Sequence, residues 1–184
     1  MSKWPSAWPR SVFAGQVEQE TCITLNHKKC WSPTAELKTD REYGFGLGQI
    51  TITKKFDNFE EVKKLDKDLS AWKKENRFDP SYQLRALVVY DRNLYTKLPD
   101  SINDKLPFMF AAYNGGLGGI LQDRRLCENT KGCDKNLWFG NVETTSFKSK
   151  IKPQGYGKSF FEINREYPRN ILLVRSKKYA NLMD

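Results

Sequence analysis

The chain has 184 residues, 39% of them hydrophobic and 13% aromatic, and its 31 Lys and Arg outnumber 22 Asp and Glu for a formal charge of +9. That length suits a single domain with a core of ordinary depth and room for a small lobe, and the aromatic content excludes an intrinsically disordered chain. The positive balance favours a polyanionic partner such as nucleic acid, an anionic membrane surface or an anionic cell-wall polymer, and no run approaches transmembrane length.

Residues 1–9 read as an extended lead-in. MSKWPSAWPR lacks the apolar region of a signal peptide, and Pro5 and Pro9 interrupt it. Pro9 suits the first turn of a helix running to about Glu20. On that helix Phe13, Gln16 and Val17 share a side, and Glu20 follows on the same side at helical spacing. A carboxyl group that faces inward is either paired or kept protonated by its surroundings. The protonated state is what a general acid needs; local capping at the helix end is the competing reading.

Residues 22–43 read as loop. Glu42 to Thr53, EYGFGLGQITIT, carries glycines at alternate positions and ends in a short strand or half hairpin, Ile50 to Thr53. Phe59 to Glu75 predicts one helix, with Val62, Leu65, Leu69 and Trp72 at spacings of three and four. Asp79 and Pro80 then cap a long helix, Ser81 to Leu98, whose buried face is expected to hold Leu84, Leu87, Val88, Leu94, Tyr95 and Leu98. Leu106 to Asn114 predicts an almost wholly apolar core helix, followed by four glycines and a short helix, ILQDRRLC. Residues 127–157 look irregular, with a turn at Pro153-Gln154-Gly155. Ser159 to Met183 is helical again, divided by Pro168, with Leu172, Leu173, Tyr179 and Leu182 as the second half's apolar side. The sum is a mainly α chain of about seven helices with at most a short β element.

Cys22, Cys30, Cys127 and Cys133 form two close pairs in sequence. Two local disulfides are the simplest arrangement, although four cysteines permit three pairings; zinc would ask for tighter spacing, and His27 adds little. Oxidised cysteines place the work of the protein outside a reducing cytoplasm.

Three segments in order resemble the motifs of the lytic transglycosylases, in particular the soluble-transglycosylase-like group. EQETC resembles that family's catalytic Glu followed by a hydroxyl residue, here Thr21 in place of Ser. GFGLGQIT resembles its Gly-Leu-Met-Gln motif, with Gly48 where Met is usual. AAYNGG matches its Ala-Tyr-Asn motif at Ala112, Tyr113, Asn114 and Gly115. FFEINREYPRNIL is a weaker match to a C-terminal helix with an acid, Glu162, and a tyrosine, Tyr167. Two departures stand out. Glu20 and Gln49 are further apart than in the compact pattern, with the Cys22 to Cys30 loop between them, and the family's usual serine between the first two motifs has only Ser32 as a candidate.

The resemblance implies a lysozyme-like fold, in the style of goose-type lysozymes and lytic transglycosylases, spanning the whole chain as one catalytic domain. It implies cleavage of the MurNAc–GlcNAc β-1,4 bond of peptidoglycan, with Glu20 as acid and then base, no cofactor and no metal. Gly46, Leu47, Gly48, Gln49, Tyr113, Asn114, Glu162 and Tyr167 become the expected saccharide-binding residues, and Trp31, Trp138 and Phe139 are loop aromatics on which a sugar ring could stack. The alternative is a lysozyme-type hydrolase, which needs a second carboxylate; Glu36, Asp40 and Glu42 are the candidates. Long inserted loops are similar to those of phage-encoded members, so a bacteriophage endolysin or virion-associated lysin is expected. Such a protein would be made in the host cytoplasm, would reach the wall through a holin or on the virion, and would act as a monomer. Nucleic acid is not an expected partner, because the basic residues are scattered in short pairs such as Lys63-Lys64 and Lys177-Lys178 rather than clustered.

Overall fold

A computed structural model describes residues 3–7, 9–22, 24–148, 150–152 and 157–184. The expected turn at Pro153-Gln154-Gly155 lies outside the described residues. The architecture is mainly α with one small antiparallel sheet, the class expected from the sequence. The chain divides into two compact units, Met1–Asn93 with Val174–Asp184, and Leu94–Leu173.

In the first unit, α1 (Ser11–Thr21) is buried on every side from Ser11 to Glu18, not on one face as its periodicity suggested. The C-terminal segment covers it. Asp184 accepts bonds from the Ser11 amide and hydroxyl at 2.9 and 2.5 Å, so the helix start is satisfied from the far end of the chain. Gly15 lets the backbone of Ser176 approach: a Cβ there would stand 2.8 Å from the Ser176 nitrogen.

The region read as loop, 22–43, contains one strand and the start of a second, and the strand expected over Ile50 to Thr53 is present. β1 (Glu36–Lys38) and β2 (Glu42–Phe45) pair antiparallel, and β2 pairs with β3 (Ile50–Thr53) in register Tyr43 with Ile52 and Gly44 with Thr51. The strands are too short for period-two alternation to stand out. Phe45 and Ile50 enter a core with Phe59, Val62, Leu69, Trp72 and Ala86. Phe59 meets Trp72 edge-on at 4.7 Å between ring centres.

The helix predicted over 59–75 is instead α2 (Asn58–Lys63) followed by two 3-10 turns, Lys67–Leu69 and Lys74–Asn76. Asp66 accepts the Asp68 amide at 2.8 Å, and Asn76 accepts the Lys73 amide at 2.7 Å. Such local side-chain acceptors compete with the helix ladder and break it. Leu65 is consequently left 40% exposed. α3 (Pro80–Lys97) starts as predicted, with Asp79 accepting the Ser81 amide at 2.8 Å. Of the expected face Leu87, Leu94 and Leu98 are buried and Leu84 is exposed, while Gln83, Ala86 and Asp91 are buried beside them.

In the second unit, α4 (Leu106–Gly115) is buried from Pro107 to Ala112, and α5 (Leu117–Glu128) follows directly. α6 (Phe160–Arg169) is tied to both. Asn164 donates to the Ala111 carbonyl at 2.8 Å, and buried Arg165 donates to Asp123 at 2.6 Å and to the Glu143 and Thr145 carbonyls. Trp138, a loop aromatic that the sequence offers for either sugar stacking or packing, is 3% exposed and packs on Phe108 and under the Arg165 guanidinium.

The last helical stretch changes winding next to Pro168, where it was expected to divide: α6 ends at Arg169. Pro168 lies inside α6, and winding continues as a wider π turn, Asn170–Arg175, then a 3-10 turn, Ser176–Lys178, and α7 (Ala180–Met183). A wider turn accommodates the donor that proline lacks. Ile171 is the buried apolar residue here, whereas Leu173 and Leu182 are exposed.

Candidate active site

Glu20 sits half-buried in the last turn of α1. Thr21 beside it is structural: its hydroxyl donates to the Val17 carbonyl at 2.7 Å and accepts the Trp31 amide at 3.0 Å. A Cys22–Cys30 disulfide closes the intervening loop and brings residue 31 back to the helix end. Trp31 takes a left-handed φ of 57° and remains 41% exposed, its ring edge-on to Tyr179. Ser32 forms a local turn with Thr34.

The segment after Trp31 is stitched to the glycine-rich loop. Ala35 accepts from the Gly46 amide at 2.8 Å and from Gln49 Nε2 at 3.2 Å. Gln49 Nε2 also reaches the Gly46 carbonyl at 2.9 Å, so its donor atom holds the loop together. The loop reverses between β2 and β3 with left-handed φ at Gly46 (76°) and at Gln49 (44°). Only glycine fits at 46, where a Cβ would lie 2.5 Å from the Gln83 side chain. Leu47 and Gly48 are buried.

Gln83 was not anticipated. Fully enclosed in α3, it accepts the Leu47 amide at 2.9 Å and donates to the Pro33 and Arg77 carbonyls at 2.8 and 2.9 Å. One amide thus joins the loop at 46–49, the segment after Trp31 and the start of α3. A Gln at an apolar-face position was the available signal.

The candidate second carboxylates lie on the β1–β2 hairpin. Glu36 is engaged: it accepts the Tyr43 hydroxyl and pairs with Arg77 at 3.8 Å. Asp40 is exposed in the connection, and Glu42 is half-buried at the start of β2.

Gln16 and Asp91 were also missed as a pair. Both are fully buried, and Gln16 Nε2 donates to Asp91 Oδ1 at 3.3 Å. Burial pushes the Asp91 carboxyl well above the usual carboxylate range; the Gln16 bond opposes this, and the charge of Glu20 adds to the rise. Glu18, on the opposite face of α1, is buried too. Its desolvation is outweighed by bonds from Lys178, Tyr179 and Arg175, which hold its carboxyl below the usual range.

In the second unit, α4 and α6 bring three expected residues together. The Tyr113 and Tyr167 rings stack at 6.2 Å with a 10° interplanar angle, and Asn114 Oδ1 accepts from Asn164 at 3.1 Å. Tyr167 is buried, Tyr113 half-buried and Asn114 exposed. Lys148 supports this turn by donating to the Gly115 carbonyl at 3.2 Å, and burial lowers its pKa. Glu162 stands apart. Its carboxylate accepts the Ser159 amide and hydroxyl at 2.7 and 2.8 Å, in a capping box that starts α6. Phe139 is half-buried with the Arg169 guanidinium over its ring. Cys127 and Cys133 form the second disulfide. Among the described residues no helix is long and apolar enough to cross a membrane.

No family profile matches the chain. Part of it is similar to curated proteins named membrane-bound lytic murein transglycosylase F. The protein from Vibrio campbellii is 40% identical over 101 residues, which is 52% of this chain and 19% of that protein. The one from Maricaulis maris is 39% identical over 66 residues, 35% of this chain and 14% of the relative. The one from Vibrio cholerae is 37% identical over 101 residues, with 52% and 19% covered. The chain thus spans about a fifth or less of the length of these relatives.

Proposed function

We propose that this chain is a peptidoglycan lytic transglycosylase that cleaves the MurNAc–GlcNAc β-1,4 bond with Glu20 as its single acid–base group. The observation that carries this reading is the setting of Glu20: half-buried in the last turn of α1, at the carbonyl end of the helix. Partial burial and the carbonyl end of a helix are both settings in which a carboxyl group gives up its proton less readily to water. The similarity to lytic murein transglycosylases supports the same substrate class.

In the proposed reaction Glu20 gives its proton to the glycosidic oxygen as the bond to C1 breaks and positive charge develops on the sugar ring. The resulting carboxylate takes the proton of the MurNAc 6-hydroxyl. That oxygen bonds to C1 and closes a 1,6-anhydro ring. No water is consumed, so no second carboxylate is needed to activate one, and the intramolecular attack gains from proximity. In the first unit the loop at 46–49 is a proposed saccharide contact; in the second unit, taken by itself, the stacked Tyr113 and Tyr167 are proposed ones. The two disulfides support work in an oxidising compartment, which fits a wall-degrading role after release from a host cell.

Mass spectrometry of fragments released from purified sacculi tests the proposal. Anhydro ends are expected. Reducing ends, heavier by one water of about 18 Da, would assign hydrolysis instead. Glu20→Gln is expected to keep the fold by circular dichroism and to lose wall lysis by at least about a hundredfold.

A further inference from the structure

Buried polar atoms are paired in native proteins with few exceptions. Gln16 and Asp91 contain two of those exceptions: with Gln16 Nε2 bonded to Asp91 Oδ1, Gln16 Oε1 and Asp91 Oδ2 have no hydrogen-bond partner. Both side chains are fully buried, so solvent does not serve them from outside. Leaving two such atoms unmet is costly, because each has given up its hydrogen bonds to water. An ionised carboxylate has no hydrogen to give and cannot relieve either atom. One proton on Asp91 Oδ2 relieves both, because the acid O–H then donates to the amide oxygen while the amide N–H donates to the acid carbonyl.

Gln16 is one helical turn before Glu20 on the same face of α1. Asp91 lies on α3 within electrostatic reach of Glu20, and it also acts on Tyr90, its neighbour on α3. An ionised Asp91 would set a second negative charge behind the group that must cycle between acid and carboxylate. A neutral one does not.

We propose that Asp91 is a positioning residue for Glu20: a carboxylic acid that stays protonated and closes a two-bond ring with the Gln16 amide, anchoring the turn of α1 that carries Glu20 without adding charge behind it. The functional half rests on the reading of Glu20 as the acid; the protonation state does not.

The state of Asp91 is read by infrared difference spectroscopy of the whole chain with 13C-carboxyl aspartate. At neutral pH the wild type is expected to show the carbonyl stretch of a protonated acid, absent from Asp91→Asn. A spectrum with carboxylate bands alone overturns the proposal. The positioning role is read from lysis of purified sacculi. Asp91→Leu is expected to slow it about tenfold or more, as a displaced reacting group does. Asp91→Asn restores a two-bond ring, amide to amide, and is expected to recover most of that loss, with the limb of the pH–rate profile that reports Glu20 unmoved. Wild-type rates in Asp91→Leu, or a limb moved to lower pH in Asp91→Asn, overturn the positioning role. Lysis that persists in Glu20→Gln while the acid band is present removes the catalytic reading and leaves the buried ring standing.

Discussion

Tyr179 donates its hydroxyl to Glu18 Oε2 at 2.6 Å, a bond that joins the C-terminal segment to the middle of α1. Lys178 reaches Glu18 Oε1 at 2.6 Å, and Arg175 reaches the same oxygen. The Glu18 carboxyl is held below its ordinary value of 4.5, so its contribution is present above that value and is lost as pH falls through the lower folded pKa. The Tyr179 hydroxyl, pushed up to about 12 by burial and by Glu18, contributes fully below 10.0 and loses that contribution as pH rises through about 12. Melting temperature against pH checks both: Glu18→Gln should flatten the acid limb below 4.5, and Tyr179→Phe the alkaline limb between 10.0 and about 12.

Gly15→Ala sets two effects against each other. Alanine in a helix interior gains about 1 kcal/mol over glycine. Here its Cβ would lie 2.8 Å from a backbone nitrogen, which cannot rotate away as a flexible side chain does. Overpacking of that kind costs about 1–3 kcal/mol, so a net loss is expected, seen as a lower midpoint in urea with an unchanged slope.

Gln83→Leu leaves the Leu47 amide and the Pro33 and Arg77 carbonyls without the bonds they now have. At about 1–3 kcal/mol for each buried group left unmet, a loss of at least about 2 kcal/mol is expected in chemical denaturation. Wall lysis should fall with it, because the loop at 46–49 loses its anchor. Gln49→Ala and Tyr113→Phe should each reduce lysis less than Glu20→Gln does.

Reduction separates the two disulfides by function. Their spacings are 8 and 6 residues, so the chain-entropy effect is similar, about 2 kcal/mol each. Replacing Cys127 and Cys133 together by serine should lower the melting temperature with modest loss of activity. Replacing Cys22 and Cys30 should lower it comparably and reduce lysis further, since that bridge returns Trp31 to the end of the helix carrying Glu20. Equal activity in the two double variants would remove the bridge from the site.

Local chemistry made much of the chain legible. Asp79-Pro80 set the start of α3, the apolar run at 106–114 set α4, and the close cysteine pairs proved to be the bridged pairs. The misreadings share a cause. A predicted helix broke where Asp66 and Asn76 accepted nearby amides, a competition decided by one hydrogen bond at a time. The strand at 50–53 was legible because Ile50 to Thr53 are four β-branched residues in a row, whereas the strands at 36–38 and 42–45 carry no such run and are too short to show a period.

By itself the sequence determined the mainly α class, the motif order and Glu20 as the acid to examine, since helix periodicity, caps and residue chemistry act over a few positions. Only the tertiary structure decided that Glu162 caps its own helix, that Trp138 is core, and that Gln83 and Asp91 are buried partners of segments 36 and 75 residues away. Whether a polar side chain is exposed, a cap or an interior tie depends on what is packed against it from elsewhere in the chain. Burial and pairing are properties of that packing, and spacing along one helix does not contain them.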